Sequence, residues 1–315
     1  MTATVGKVPD ALADPLAAQK PSSLWRDTLW NILRQRSAVV GLTFLVFLVA
    51  VAVFAPVIAT YNPNEPMIGV QAGAKVRMPP CIHLLGCPAN LPQHLMGLDG
   101  NGRDVFSRVV YGARVSLQIG ILTVGFAIIL GALIGAIAGY FAGKTDNVLM
   151  RLMDVVLAFP SLLLAIAIVT VLGQGLINAQ LAIGIVAIPV YARVMRASVL
   201  SVREQEFVAA SRALGESRGG ILVRRVVPNA LTPLIVQGTL GIAAAIIDVA
   251  ALSFLGLGAQ PPLAEWGSMI GIERNAVFAA PHLIIFPGLA IVVTCLAFNL
   301  LGDGVRDALD PRLNR

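Results

Sequence analysis

Charge is scarce in this chain. Of its 315 residues only 13% are charged, against about a quarter in a soluble domain. So few charges cannot cover a water-facing surface, so a soluble globular fold is excluded and lipid is the expected solvent. Histidine is scarcer still: His83, His94 and His282 stand apart, in loops or at the edge of an apolar run. No HExxH or CxxC pattern occurs, and the apolar runs offer no paired polar groups for a membrane protease or transferase. The chain is therefore read as non-catalytic, with no metal site.

Cysteine is also sparse. Cys295 falls in an apolar run, where a thiol packs as a small hydrophobe. Cys81 and Cys87 bracket "CIHLLGC". Two cysteines and one histidine are too few for a closed zinc site, which leaves a disulfide or two free thiols. A disulfide over so short a loop would contribute about 2 kcal/mol by chain entropy. A nucleotide loop is missing too. "GYFAGKT" (139–145) has three residues between its first glycine and Gly-Lys where four are needed, and it ends an apolar run instead of following a strand. No ATP, Mg²⁺ or other cofactor is expected on this chain.

What is abundant is apolar sequence, 57% of residues. Six runs reach the length of about 20 residues that a bilayer requires, near 38–60, 113–142, 153–172, 176–195, 231–258 and 283–302. Backbone groups cannot stay unpaired in lipid, so each is expected to be a helix, with Pro56, Pro160, Pro189 and Pro287 tolerated as kinks. With the N-terminus inside, 17 of the 23 basic residues fall on the inner side, leaving Lys75, Arg77, Arg103, Arg108, Arg114 and Arg274 outside. That is the positive-inside pattern. The net charge of +6 is thus assigned to loops facing anionic lipid or a cytoplasmic protein, not to nucleic acid.

The expected layout follows. Residues 1–37 form a cytoplasmic tail and an interfacial helix, 38–60 the first span, and 61–112 an extracytoplasmic loop. Residues 113–303 form a five-helix core carrying a cytoplasmic loop at 196–230, and 304–315 are a cytoplasmic tail. Residues 1–23 are polar, and the first apolar run is late and span-length, so it is expected to stay as an anchor. In "LWRDTLWNILRQR" (24–36), Leu24, Trp25, Leu29, Ile32 and Leu33 share one helical side. That pattern fits a helix on the inner leaflet; a cytoplasmic extension of the first span is the alternative.

Two features lie inside the spans. Gly131, Gly135, Gly139 and Gly143 recur every fourth residue, which makes a smooth ridge for close helix packing, within this chain or with another. Asp248 is the one carboxylate deep in an apolar run. Such residues face an aqueous path or a polar neighbour, so Asp248 is read either as lining a pore or as bonded to a Ser or Thr on an adjacent helix.

The cytoplasmic stretch is the most organised polar segment. "VLSVREQEFVAASRAL" (199–214) reads as one helix, with Val199, Val202, Phe207, Ala210 and Leu214 at helical spacing. Gly215 follows where a helix ends in a left-handed turn, Ser217 can cap "RGGILVRRVV", and Pro228 is expected to end that segment. A helix, a glycine turn and a second helix, rich in arginine, make a knob suited to docking into another protein.

This stretch resembles the coupling loop of ABC-importer permeases, the "EAA" motif. Gly215 and Val226-Val227-Pro228 fall in the matching places, Glu206 matches the upstream acid, and Ala209 replaces the usual glutamate of the triplet Ala209-Ala210-Ser211. "HLMGLDGNGRDVFSRVVYGARVSL" (94–117), "RLMDVVLAFPSLLLAIAIV" (151–169), "LSFLGLGAQPPLAEWG" (252–267) and "FPGLAIVVTCLAFNLLGDGVRDALDPR" (286–312) look like the C-type subunit of the dipeptide/oligopeptide group. The resemblance implies an all-α type I importer permease fold with six transmembrane helices. It implies that Glu206, Ala209, Ala210, Ser211, Arg212, Gly215, Glu216 and Ser217 couple to an ATPase. It further implies a second permease subunit, two ATP-binding subunits carrying ATP and Mg²⁺, an extracytoplasmic binding protein and a bacterial or archaeal cell membrane. Nickel chelates, glutathione-like molecules and peptide export use similar permeases; an ion-coupled secondary transporter would need more midplane carboxylates than Asp248.

Overall fold

Asp104 starts the longest helix, α2 (Val105–Phe141), by accepting hydrogen bonds from the Ser107 N–H and hydroxyl at 2.8 and 2.7 Å. Thirty-seven residues make a rod of about 55 Å, well beyond the roughly 30 Å of hydrocarbon. The computed structural model describes residues 33–309. The expected interfacial helix over 24–36 falls outside these except for its last four residues.

The principal helices are α1 (Arg36–Val53), α2, α3 (Gly143–Leu157), α4 (Ser161–Leu172), α5 (Leu176–Val202), α6 (Glu206–Ala213), α7 (Arg218–Ile221), α8 (Thr232–Phe254), α9 (Trp266–Glu273) and α10 (His282–Leu309). Five of them, α1, α2, α5, α8 and α10, are long and apolar enough to cross a membrane. The outer loop, between α1 and α2, holds only short turns and isolated bridges such as Cys81–His94.

Several limits differ from expectation, each for a local reason. Helix α2 begins eight residues before the expected 113, because Ser107 and Arg108 are buried against the outer loop and so need no water. The expected span 153–172 is not one rod: α3 and α4 meet at 90°. Pro160 lacks an N–H, and it disfavours helical backbone at Phe159. The twelve residues of α4 reach only about 18 Å, so α4 alone is shorter than the bilayer core. Helix α5 runs on to Val202 and α10 to Leu309, both past the apolar runs that announce them.

A small apolar cluster of Met67, Met78, Cys81 and Leu98 lies within the outer loop, and the helical core has two larger apolar centres. One joins α2, α4, α5, the cytoplasmic loop and α8 around Ile119, Met195, Val199, Leu234 and Leu252. The other joins α1, the outer half of α2, α9 and α10 around Leu45, Trp266, Met269 and Phe298. Helix α2 packs most extensively on α5. A side chain at Gly131 would meet Ile188 and Tyr191, one at Gly135 would meet Met195, and one at Gly139 would meet Arg196 and Val199. The partner of this ridge is thus α5 of the same chain. Gly143 does not belong to it: Ala142 breaks the helix with φ +53, and Gly143 (φ +58) opens α3 with no neighbour within 4 Å of where a Cβ would sit.

Candidate functional site

The cytoplasmic loop begins where α5 stops. Arg203 turns back and its Nη1 donates to the carbonyl of Gly139 at 2.7 Å, meeting the unpaired carbonyls at the end of α2. That turn splits the helix expected over 199–214. Val199 and Val202 stay buried on α5, whereas α6 restarts at Glu206 and buries one residue, Val208. Phe207, Ala210 and Leu214 share a face of α6 by spacing, but they point outward; Leu214 is 88% exposed. One apolar periodicity therefore serves two surfaces, one inside the molecule and one outside.

Glu206 lies in the first turn of α6 and Arg212 in the last, as the helix dipole favours. Ser211 donates its hydroxyl to the Phe207 carbonyl at 2.9 Å, and Ala209 and Arg212 are exposed. Gly215 closes the helix with φ +83, a conformation glycine adopts without strain. The Ser217 hydroxyl accepts from the Gly220 N–H at 3.2 Å and starts α7. Glu216 and Arg225 pair at 3.2 Å, tying the two arms of the knob together. Ile221, Leu222 and Val226 plug into the first core, and Ser198 of α5 donates to the Ala230 carbonyl at 2.9 Å. Pro228 does not end the segment. The chain passes it through a π turn (Leu222–Val226) into a helical turn at Val227–Ala230, because the proline ring removes a bond and crowds the preceding turn.

Helix α3 is fastened to the inner half of α5. Asp146 takes a two-pronged hydrogen bond from Arg196 at 2.5 and 2.6 Å, and Asp154 pairs with Arg193 at 2.6 Å. These pairs hold the bend between α3 and α4 against the rod that carries the loop.

Above the bend lies a cavity of about 240 Å³ between α2, the α3–α4 bend, α5 and α8. Its wall is mostly apolar, and Asp248 lines it. Asp248 makes no hydrogen bond or ion pair among the described residues, so the alternative of a Ser or Thr partner is not seen. Thr123, Ser161, Tyr191 and Gln237 share the wall. Sequence reading alone misses them; the available signal is that Thr123 and Gln237 are among the few polar residues in otherwise apolar helices.

On the outer side the site is framed by rigid polar contacts. Cys81 and Cys87 are joined in a disulfide, their Cα atoms 5.4 Å apart. Buried His94 lies between Asp104, at 2.9 Å from Nδ1, and Gln71, at 3.0 Å from Nε2. Arg108 donates to the carbonyls of Pro63 and Pro262 at 2.9 and 3.2 Å, joining the outer loop to the α8–α9 turn. Glu265 caps α9 by accepting from the N–H groups of Gly267 and Ser268; burial pushes its carboxyl above the usual range although these bonds oppose the shift.

Residues 131–315 match the family described as binding-protein-dependent transport system inner membrane component, and residues 23–80 match the N-terminal TM domain of oligopeptide transport permease C. The dipeptide transport system permease protein DppC of Alkalihalophilus pseudofirmus is 43% identical over 92% of this chain and 91% of its own. The di/tripeptide transport system permease protein DppC of Pseudomonas aeruginosa is 44% identical over 94% and 96%. The glutathione transport system permease protein GsiD of Pectobacterium atrosepticum is 40% identical over 92% and 91%. A chain of the MetNI methionine ABC transporter, solved in inward-facing conformations, superposes with a TM-score of 0.54 at 18% identity, covering 64% of this chain and 97% of that one. The all-helical type I importer permease fold expected from the sequence is therefore present. The long apolar helices, the cytoplasmic knob and these relatives lead to one conclusion: the chain is a multi-pass membrane permease and belongs to the family of inner membrane components of binding-protein-dependent transport systems.

Proposed function

We propose that this chain is one of two permease subunits of an ATP-driven importer of di- and oligopeptides. A companion permease supplies the other wall of the path, two cytoplasmic ATPases bind ATP and Mg²⁺, and an extracytoplasmic binding protein delivers cargo. The chain itself catalyses no reaction. Both termini lie in the cytoplasm, in keeping with the basic inner segments. Peptide cargo is favoured because relatives named for dipeptides and for di/tripeptides match at 43% and 44% identity over most of the chain. Glutathione is itself a small peptide, so the relatives named for it widen the size and linkage of the cargo without changing its class.

The observation that carries the coupling role is the outward face of α6: Phe207, Ala210 and Leu214 lie exposed on a helix anchored by one buried side chain. An apolar face held in water calls for a partner, and a groove on an ATPase fits a helix presented in this way. ATPase closure then moves the loop, and the packed helices follow as a body. The reading is tested with Leu214→Cys in the co-expressed complex. It should crosslink to an ATPase subunit carrying a cysteine in its groove, and peptide uptake should require ATP. Crosslinking from the outer compartment, or uptake driven by an ion gradient without ATP, would refute it.

A further inference from the structure

Within the apolar cavity, polar groups converge that satisfy nothing in the chain. Asp248, on α8, has no partner among the described residues. Thr123, on α2, is 2% exposed, and its Oγ1 is buried without a hydrogen bond. Tyr191, on α5, is 3% exposed, and its hydroxyl reaches α8 beside Gly241, where a Cβ would collide with it. That hydroxyl also makes no hydrogen bond among the described residues. A carboxyl within an apolar membrane helix ordinarily faces a polar partner or an aqueous path; Asp248 has no such partner among the described residues and lines the void together with the Tyr191 hydroxyl, which points to a ligand there.

The charge in the cavity sets the chemistry of that ligand. No Lys, Arg or His is among the lining residues, so the Asp248 carboxyl has no counter-charge in the cavity. The remaining polar side chains of the lining, the hydroxyls of Thr123, Ser161 and Tyr191 and the Gln237 amide, carry oxygens of the kind that accept hydrogen bonds. An uncompensated carboxylate among oxygen acceptors suits a group with a positive charge and several N–H donors. We propose that this cavity is a subsite for a primary ammonium group on the cargo, with Asp248 as its counter-ion and the Tyr191 hydroxyl as an acceptor. The proposal rests on the reading of the chain as a peptide permease, and a peptide carries such a group at its N-terminus or on a lysine side chain. The volume, about 240 Å³, is below the roughly 300–1,000 Å³ of complete small-molecule pockets. It fits one end of a peptide, the rest being accommodated elsewhere on the path.

Cysteine chemistry gives a test that does not depend on the binding protein. The only unpaired thiol among the described residues, Cys295, is buried, so background labelling is low. Ala244 lines the cavity, is exposed, and stands one turn from Asp248. In the assembled complex, Ala244→Cys should react with a trimethylammonium methanethiosulfonate about tenfold or more faster than with the sulfonate reagent, as an unscreened charge at this range implies. Adding Asp248→Asn, which keeps the shape, should bring the ratio close to one, and Asp248→Glu should restore most of it. Alanyl-alanine should slow labelling and N-acetyl-alanyl-alanine should not. Protection by N-acetyl-alanyl-lysine would assign the subsite to any ammonium, and its absence would assign it to the N-terminus. Equal rates for the two reagents in the Asp248 protein, or equal protection by free and acetylated dialanine, would overturn the proposal. Wild-type ATP-dependent uptake of alanyl-alanine is measured alongside. Its absence would count against the peptide reading, whereas a charge preference in the cavity would still stand.

Discussion

The outer loop, residues 61–104, is fastened by buried polar groups around a small apolar cluster of its own (Met67, Met78, Cys81 and Leu98), whereas the cytoplasmic loop, 203–231, is fastened mainly by apolar side chains set into the helical core. Outside, His94, Asp99, Arg103 and Asp104 are all buried and bonded, and Arg108 is clamped by carbonyls from two separate segments. Such contacts have narrow geometry and fail when one partner is removed. Inside, Val208, Ile221, Leu222 and Val226 seat the knob, while its polar groups mostly face water. Apolar seating is non-directional, and among the described residues only the two ends of the knob are tied to the helices by hydrogen bonds, Arg203 to Gly139 and Ser198 to Ala230. The outer loop is suited to holding a fixed surface and the inner one to transmitting movement.

The largest expected effect breaks the inner half of that contrast. Gly215→Val places a β-branched residue at φ +83, a strain of about 1–2 kcal/mol concentrated on the angle between α6 and α7. Open space surrounds the site, so no clash with neighbours confuses the result. ATP-driven uptake should be abolished with normal amounts of protein in the membrane, and Gly215→Asn should keep much of the activity because asparagine tolerates the left-handed region. Normal uptake by the valine variant would remove the coupling angle as an explanation.

Next comes the outer clamp. Arg108→Ala leaves the carbonyls of Pro63 and Pro262 without their donor, while Asp99 keeps Arg103, and should lower stability by roughly 1–3 kcal/mol for each carbonyl, read as an earlier thermal transition of the purified complex. Uptake per folded molecule at low temperature should change little, which sharpens the distinction between holding and transmitting. Replacing both Cys81 and Cys87 by serine should have a smaller effect, about 2 kcal/mol, confined to faster proteolysis of the outer loop. The smallest effect is one of pH. The Glu265 carboxyl is raised in the folded chain, so the folded state keeps its proton longer than the unfolded state. Its contribution is full below the ordinary carboxylate pKa and is lost as pH rises towards the raised value. Glu265→Gln should flatten that decline in a melting-temperature profile across mildly acidic pH.

Much of the fold is legible in sequence because lipid permits few structures. Long charge-free runs locate five of the spanning helices, and the turn at Gly215 and cap at Ser217 follow from local backbone chemistry. The differences have a common cause. Pattern rules see composition but not what a residue touches, so a buried Arg108 reads as loop and the start of α2 falls too late. Pro160 reads as a kink because proline in lipid is often tolerated; only the ion pairs of Asp146 and Asp154 with α5 show that α3 turns aside. Phe207, Ala210 and Leu214 are legible as periodic, but not as facing outward, since nothing in sequence says which side of a helix meets a second protein.

The glycine seam between α2 and α5 has a mechanical consequence. Backbones that touch directly have no flexible side chains between them to absorb a displacement. Arg203 grips one end of this strut, and Tyr191 stands near the other, its hydroxyl against Gly241. A tug on the knob should therefore reach the cavity wall with little slack, so that nucleotide turnover on one side of the bilayer reshapes a pocket deep within it.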